Sequence, residues 1–224
     1  MKHTIAQQRD WIYRAVGLLS FNGGLVSMVT FVSFIHNSVG YVTGNISFAA
    51  DAFANGNILA FKGFLLALLA FLFGSIISGV IIPIDNAERG NNYNIALILE
   101  IICIICGGVG LKTGFDSARY FLAIAMGIQN ALTTYYGKSI IRTTHMTGTM
   151  TDLGIVLGHW IRGNSVEKWR IVVYLSLLTG FFTGSVVGAI AYKFIGYGTL
   201  IISVLLCMVM LRFSHADILK NTQT

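Results

Sequence analysis

Few side chains in this sequence could do chemistry, and most of them stand in apolar surroundings. Glu100 sits in Ile-Leu-Glu-Ile-Ile. A carboxylate at the centre of a bilayer costs roughly 2.5–3.5 kcal/mol on insertion scales, so an acid there points to coupling or proton handling. A partly wet position near the start of its segment is the alternative. Asn22, Gln129 and Asn130 also lie in apolar runs. Their amides need partners that lipid does not offer. They read either as a polar solute site or as interhelical hydrogen bonds worth about 0.6–2 kcal/mol each.

Two short polar segments follow apolar runs, YVTGNIS at 41–47 and RTTHMTGTMTDLG at 142–154. In them Thr43, Gly44, Asn45, Thr147, Gly148 and Thr149 are candidate solute-binding residues, with Arg142 adding a positive charge ahead of the second. The glycines are expected to let the backbone turn. Thr43, Ser47, Thr147, Thr149 and Thr151 are expected to satisfy freed backbone groups and to cap a following half-helix. A half-helix N-terminus suits anions. An ordinary interfacial loop with a helix cap is the plainer reading. His145, Asp152 and His159 recur every seven residues, which would align them on one helical face. With Glu100, His145 and Asp152 are candidates for proton handling. The close-spaced ligand pair of a metal site is missing, so no metal is expected, and no cofactor motif is present.

The elements that must position these residues are membrane helices. The chain of 224 residues is 55% hydrophobic and 11% charged, against about 25% charged in soluble domains. Stretches such as 63–82 and 171–191 carry no charge at all, the mark of a transmembrane helix. Six spans fit, at about 12–34, 59–82, 95–111, 120–136, 171–192 and 198–213. Trp11, Tyr13, Tyr93, Tyr120, Tyr135, Tyr136, Trp169, Tyr192 and Tyr197 lie near their ends, where aromatic rings settle at headgroup level. With both termini in the cytoplasm, 11 Lys and Arg fall inside and 4 outside, as retention of positive charge requires. Cys103-Ile-Ile-Cys106 has CxxC spacing but no polar neighbours, and reads as membrane packing.

The halves echo one another. Asn22-Gly23 and Asn130-Ala131 are each followed by a Thr-Gly segment, then by small residues every fourth position: Ala70, Gly74 and Ser78, then Gly180, Gly184 and Gly188. The expected organisation is a first three-helix repeat at 1–111 and a second at 112–224. An odd number of crossings per repeat makes the second inverted, the design of many secondary transporters. The small-residue ladders would join the repeats or, through Gly180, Gly184 and Gly188, two copies in a homodimer.

Met126-Gly127-Ile128-Gln129-Asn130-Ala131, followed by Arg142 through Gly154, resembles the signature of the YoaK-like family of bacterial integral membrane proteins, long catalogued as a domain of unknown function. Thr43-Gly44-Asn45 matches its shorter first-half motif. The resemblance covers nearly the whole chain and implies an all-helical fold and a bacterial plasma-membrane address. It implies no substrate. The family's pattern has an aspartate and an alanine where this chain has Asn22 and Gly23, so coupling through a carboxylate at that position is not carried over.

The leading expectation is a secondary transporter of a small polar or anionic solute, with a site at the repeat interface. A channel or passive pore is the alternative. No nucleophile–base or metallohydrolase pattern is present, so an enzyme is not expected. The basic residues are scattered over loops and termini, so neither is a nucleic-acid partner. A sensor or assembly factor is a further, lesser alternative, for which the sequence shows no soluble segment to house an output.

Overall fold

The computed structural model describes residues 2–33, 38–82, 89–136 and 142–221, with side chains over 15–33, 38–82, 92–133 and 142–213. Side chains of Trp11, Tyr13, Tyr135 and Tyr136, and of the terminal basic residues used to orient the chain, lie outside the described residues.

Among the described residues the chain is all-helical, in eight helices: α1 Lys2–Ser33, α2 Val42–Ala54, α3 Ile58–Ile81, α4 Arg89–Lys112, α5 Arg119–Tyr136, α6 Met146–Ile161, α7 Lys168–Ile195 and α8 Leu200–Asn221. Among the described residues, each of the six expected stretches falls on a helix. Four stretches are long and apolar enough to cross a membrane: Ala15–Ser33, Ile58–Ile81, Asn92–Lys112 and Lys168–Phe213. The last, 46 residues long, runs through α7, a 3-10 turn at Gly196–Thr199 and α8. The expected fourth span, α5, is not among the four. It is the shortest of the six at 18 residues and the most enclosed, with Leu122, Ala123, Ala125, Met126, Ile128 and Gln129 all fully buried.

Both Thr-Gly segments are helical, which corrects part of the sequence reading. Gly44 and Gly148 fall in the first turns of α2 and α6. The left-handed glycines are instead Gly56, Gly114, Gly163 and Gly196. The chain turns just earlier, at 38–41 and 142–145. The helices are uncapped by side chains, with Tyr41 and His145 at the N-cap positions. The expected capping hydroxyls bond back one turn instead, Ser47 to the Thr43 carbonyl, Thr149 to that of His145 and Thr151 to that of Thr147. This leaves first-turn N–H groups without a side-chain acceptor.

Helix packing crosses the sequence. The most extensive contacts are α1 with α7 and α5 with α3. Glycine makes both possible. A Cβ on Gly24 would strike the Phe181 carbonyl, and one on Gly184 the Phe21 carbonyl. In the other pair, Gly127 meets the Phe71 carbonyl and Gly74 the Ile124 carbonyl. Ser185 Oγ donates to the Gly24 carbonyl at 3.3 Å, and Ser75 Oγ to the Gly127 carbonyl at 3.2 Å. The small-residue ladders are therefore packing seams, where backbones approach closely. Gly180 and Gly188 extend the first seam against the Gly17 and Leu25 carbonyls of the same chain.

Candidate functional site

At the centre, four helices converge on one buried polar cluster. Asn22 of α1, Glu100 of α4, Gln129 of α5 and Ser203 and Cys207 of α8 are each at most 1% exposed. Asn22 is the hub. Its Nδ2 donates to Gln129 Oε1 at 2.7 Å and Glu100 Oε1 at 3.1 Å, and lies 3.5 Å from Cys207 Sγ. Its Oδ1 accepts from Ser203 Oγ at 2.5 Å. Cys207 Sγ also donates to Glu100 Oε1 at 3.5 Å. Glu100 Oε2 is buried and has no hydrogen-bond partner.

The cluster continues to the turn before α6. Gln129 Nε2 donates to the Leu19 carbonyl and to Thr143 Oγ1, both at 2.8 Å. Asn130 Nδ2 donates to Thr144 Oγ1 at 2.8 Å, and Asn130 Oδ1 accepts from the Thr144 amide at 3.1 Å. Ser20 Oγ lies 3.0 Å from the Thr143 carbonyl and 2.7 Å from that of Leu177. An unbroken chain of polar contacts thus links Glu100 to the Arg142–His145 turn. This answers why so polar a segment follows an apolar run: its threonines complete the amides of α5, which apolar neighbours would leave unsatisfied.

The sequence-predicted residues divide accordingly. Asn22, Gln129, Asn130 and Glu100 are brought together. Arg142, His145, Asp152 and His159 face outward, as do Thr43 and Thr147, and none of them joins the cluster. Asn45 and Thr149 are buried in the first turns of α2 and α6, where Asn45 Nδ2 donates to the Ser38 carbonyl at 3.1 Å. Among the described residues no three His, Cys, Asp or Glu are grouped as metal ligands would be.

Sequence reasoning missed Ser20, Thr143, Thr144, Ser203 and Cys207. Ser203 and Cys207, one helical turn apart on α8, are the last span's contribution, bonding to Asn22 and Glu100 respectively. The spacing of these two small polar residues in an otherwise apolar run was the available signal.

Residues 15–212 match the profile of the family described as "Protein of unknown function (DUF1275)". The chain belongs to this family. This is the group to which the YoaK-like signature pointed, and its profile spans every residue of the cluster and both Thr-Gly helices. No curated protein matches the chain, and no solved structure does.

Proposed function

We propose that this family member is a secondary transporter of a small polar or anionic solute in the bacterial cell membrane, with both termini in the cytoplasm. It works by alternating access between two inverted units, 1–111 and 112–224, the first holding α1–α3 and all of α4 but Lys112 and the second α5–α8. The observation that carries this reading is the matched pair of crossed seams. Gly24 and Gly127, Phe181 and Phe71, Gly184 and Gly74, and Ser185 and Ser75 play the same parts in the two pairs. Thr30 and Thr133 extend the match, each bonding back to two carbonyls of the preceding turn, Val26 and Ser27 in one case and Gln129 and Asn130 in the other. Each unit then runs long, short, long, long, with the Thr-Gly helix as the short member.

This register changes the equivalence suggested by sequence. It sets Asn130 level with Ser27, and Asn22 level with Ala125. The two asparagines are therefore complementary rather than duplicated, and the site is asymmetric inside a symmetric frame. Two seamed pairs, α1 with α7 and α3 with α5, each lock one helix of the first unit to one of the second, and the motion that alternates access passes around the central cluster between them. Asn22, Gln129 and Asn130 form the solute-binding face, and the uncapped N-termini of α2 and α6, with Arg142 beside the second, suit an anionic group.

The test is a thermal-stability screen of purified protein against small anions, carboxylates, amino acids, nucleobases and sugars. It is followed by counterflow of any stabilising compound in proteoliposomes. A compound that protects the wild type but not Asn130→Ala, and that exchanges with saturation, supports the transporter. Unsaturable flux, or unitary currents independent of solute, would replace it with a pore.

A further inference from the structure

We propose that Glu100 is a proton-binding site, and that its proton governs the contacts holding the Arg142–His145 turn closed. This deepens the transporter reading by naming the coupling ion. Two features of the geometry point to it. Glu100 is fully buried where α1, α4, α5 and α8 meet, so it is enclosed by the surfaces that a rocking motion would separate. Its two oxygens are unequal: Oε1 takes the contacts from Asn22 and Cys207, whereas Oε2 has none. A carboxyl built only to brace the core would have both oxygens satisfied. The open oxygen marks the place for one more bonded group, and a proton is the ligand that needs no further space.

The groups facing Glu100 leave little else for it to bind. They are Asn22 from α1, Gln129 beyond it from α5, Ser203 and Cys207 from α8, and Cys103 on its own helix. Only the thiols among these titrate. No ion pair among the described residues reaches Glu100. When the proton passes to water, the electron pair stays on the carboxylate and nothing is oxidised. The resulting charge must then be met by donors that the closed arrangement does not supply at Oε2. Asn22 is the element that transmits the change. Its two amide hydrogens serve both Glu100 Oε1 and Gln129 Oε1, and a charged acceptor draws the stronger bond. Displacing Asn22 toward Glu100 weakens its hold on Gln129, whose other end fixes Thr143.

The experiment uses full-length protein in proteoliposomes. Infrared difference spectra across mildly acidic to mildly alkaline pH follow the carboxyl C=O band in wild type, Glu100→Gln and Glu100→Asp. In parallel, Thr144→Cys, in a background with Cys103 and Cys106 replaced by Ala, is labelled with an impermeant maleimide. The expected result is a band that bleaches reversibly as pH rises in wild type, is absent in Glu100→Gln and is displaced in Glu100→Asp. Labelling of Thr144→Cys should rise severalfold over the same range and become flat when Glu100→Gln is added. Retained monodispersity and melting behaviour of Glu100→Gln establish that it folds, and Glu100→Asp gives the second comparison if it does not. A carboxyl spectrum unaltered by both substitutions, or one that never titrates while the protein stays folded, overturns the proton site. A titrating band with labelling independent of pH overturns its control of the turn. Neither readout requires a solute, so absence of counterflow with a titrating Glu100 would remove the transporter and leave the proton site standing.

Discussion

The turns at 38–41 and 142–145 enter the two short helices in the same way, yet they are closed by different means. The second is held by side chains from α1 and α5: Ser20 and Gln129 reach Thr143, and Asn130 reaches Thr144. The first is closed by small residues. Gly40 lies against Ser27, the Val39 amide donates to Thr30 Oγ1 at 3.3 Å, and Asn45 holds the Ser38 carbonyl. Around it Ser27 Oγ, Ser38 Oγ and Asn45 Oδ1 are buried without a hydrogen-bond partner. Each such group costs about 1–3 kcal/mol relative to a satisfied one. Similar backbone frames therefore carry closures of unequal strength.

The seams under both turns offer the harshest way to break the comparison. Gly24→Val and Gly127→Val each drive a side chain into a facing carbonyl, and should destabilise by at least about 3 kcal/mol, lowering the yield of monodisperse protein and the melting temperature in detergent alike. Tolerance of one substitution but not the other would show that the seams are not equivalent. Gln129→Ala comes next. It strips partners from Asn22, the Leu19 carbonyl and Thr143 together, and an expected loss of about 2–4 kcal/mol should appear in melting and in faster amide exchange at the second turn. Exchange raised equally at both turns would mean that the polar chain is not local to one of them. The finest contrast pairs Asn130→Ala with Ser27→Ala. The first should lose about 1–2 kcal/mol, while the second should be neutral or gain up to about 1 kcal/mol because its hydroxyl is unsatisfied. Equal losses would show that the first turn has an unseen partner, such as an ordered water.

The sequence was informative where one residue type has one meaning. Apolar runs located the middle of every long helix but not its ends, α1 starting ten residues before its expected span and α8 running eight beyond, and Glu100, Asn22, Gln129 and Asn130 stood out because lipid leaves an isolated polar group no partner. The Thr-Gly pairs were ambiguous, since glycine permits a turn without requiring one. Here the threonine hydroxyls bond back along the helix, so the turn fell four residues earlier. Asparagine followed by a small residue is a pattern of side chains, whereas the two crossed seams match at Gly24, which meets the Phe181 carbonyl, and Gly127, which meets that of Phe71. Ser203 and Cys207 left only the signal of their spacing, because it is the packing of α8 on α4 and α1 that brings them to Asn22 and Glu100.

The crossed packing has a consequence for how the protein is made. α1 ends at Ser33, and its principal partner α7 does not begin until Lys168. At roughly 5–20 residues per second of synthesis, the first helix waits on the order of ten seconds before that partner exists. Until then its glycines have no seam to enter, and Ser20 and Asn22 lack their later partners, the Leu177 carbonyl, Ser203 and Cys207. The α1 seam is completed only when the last quarter of the polypeptide arrives. Truncation before α7 should therefore yield a product that is degraded rather than a stable half.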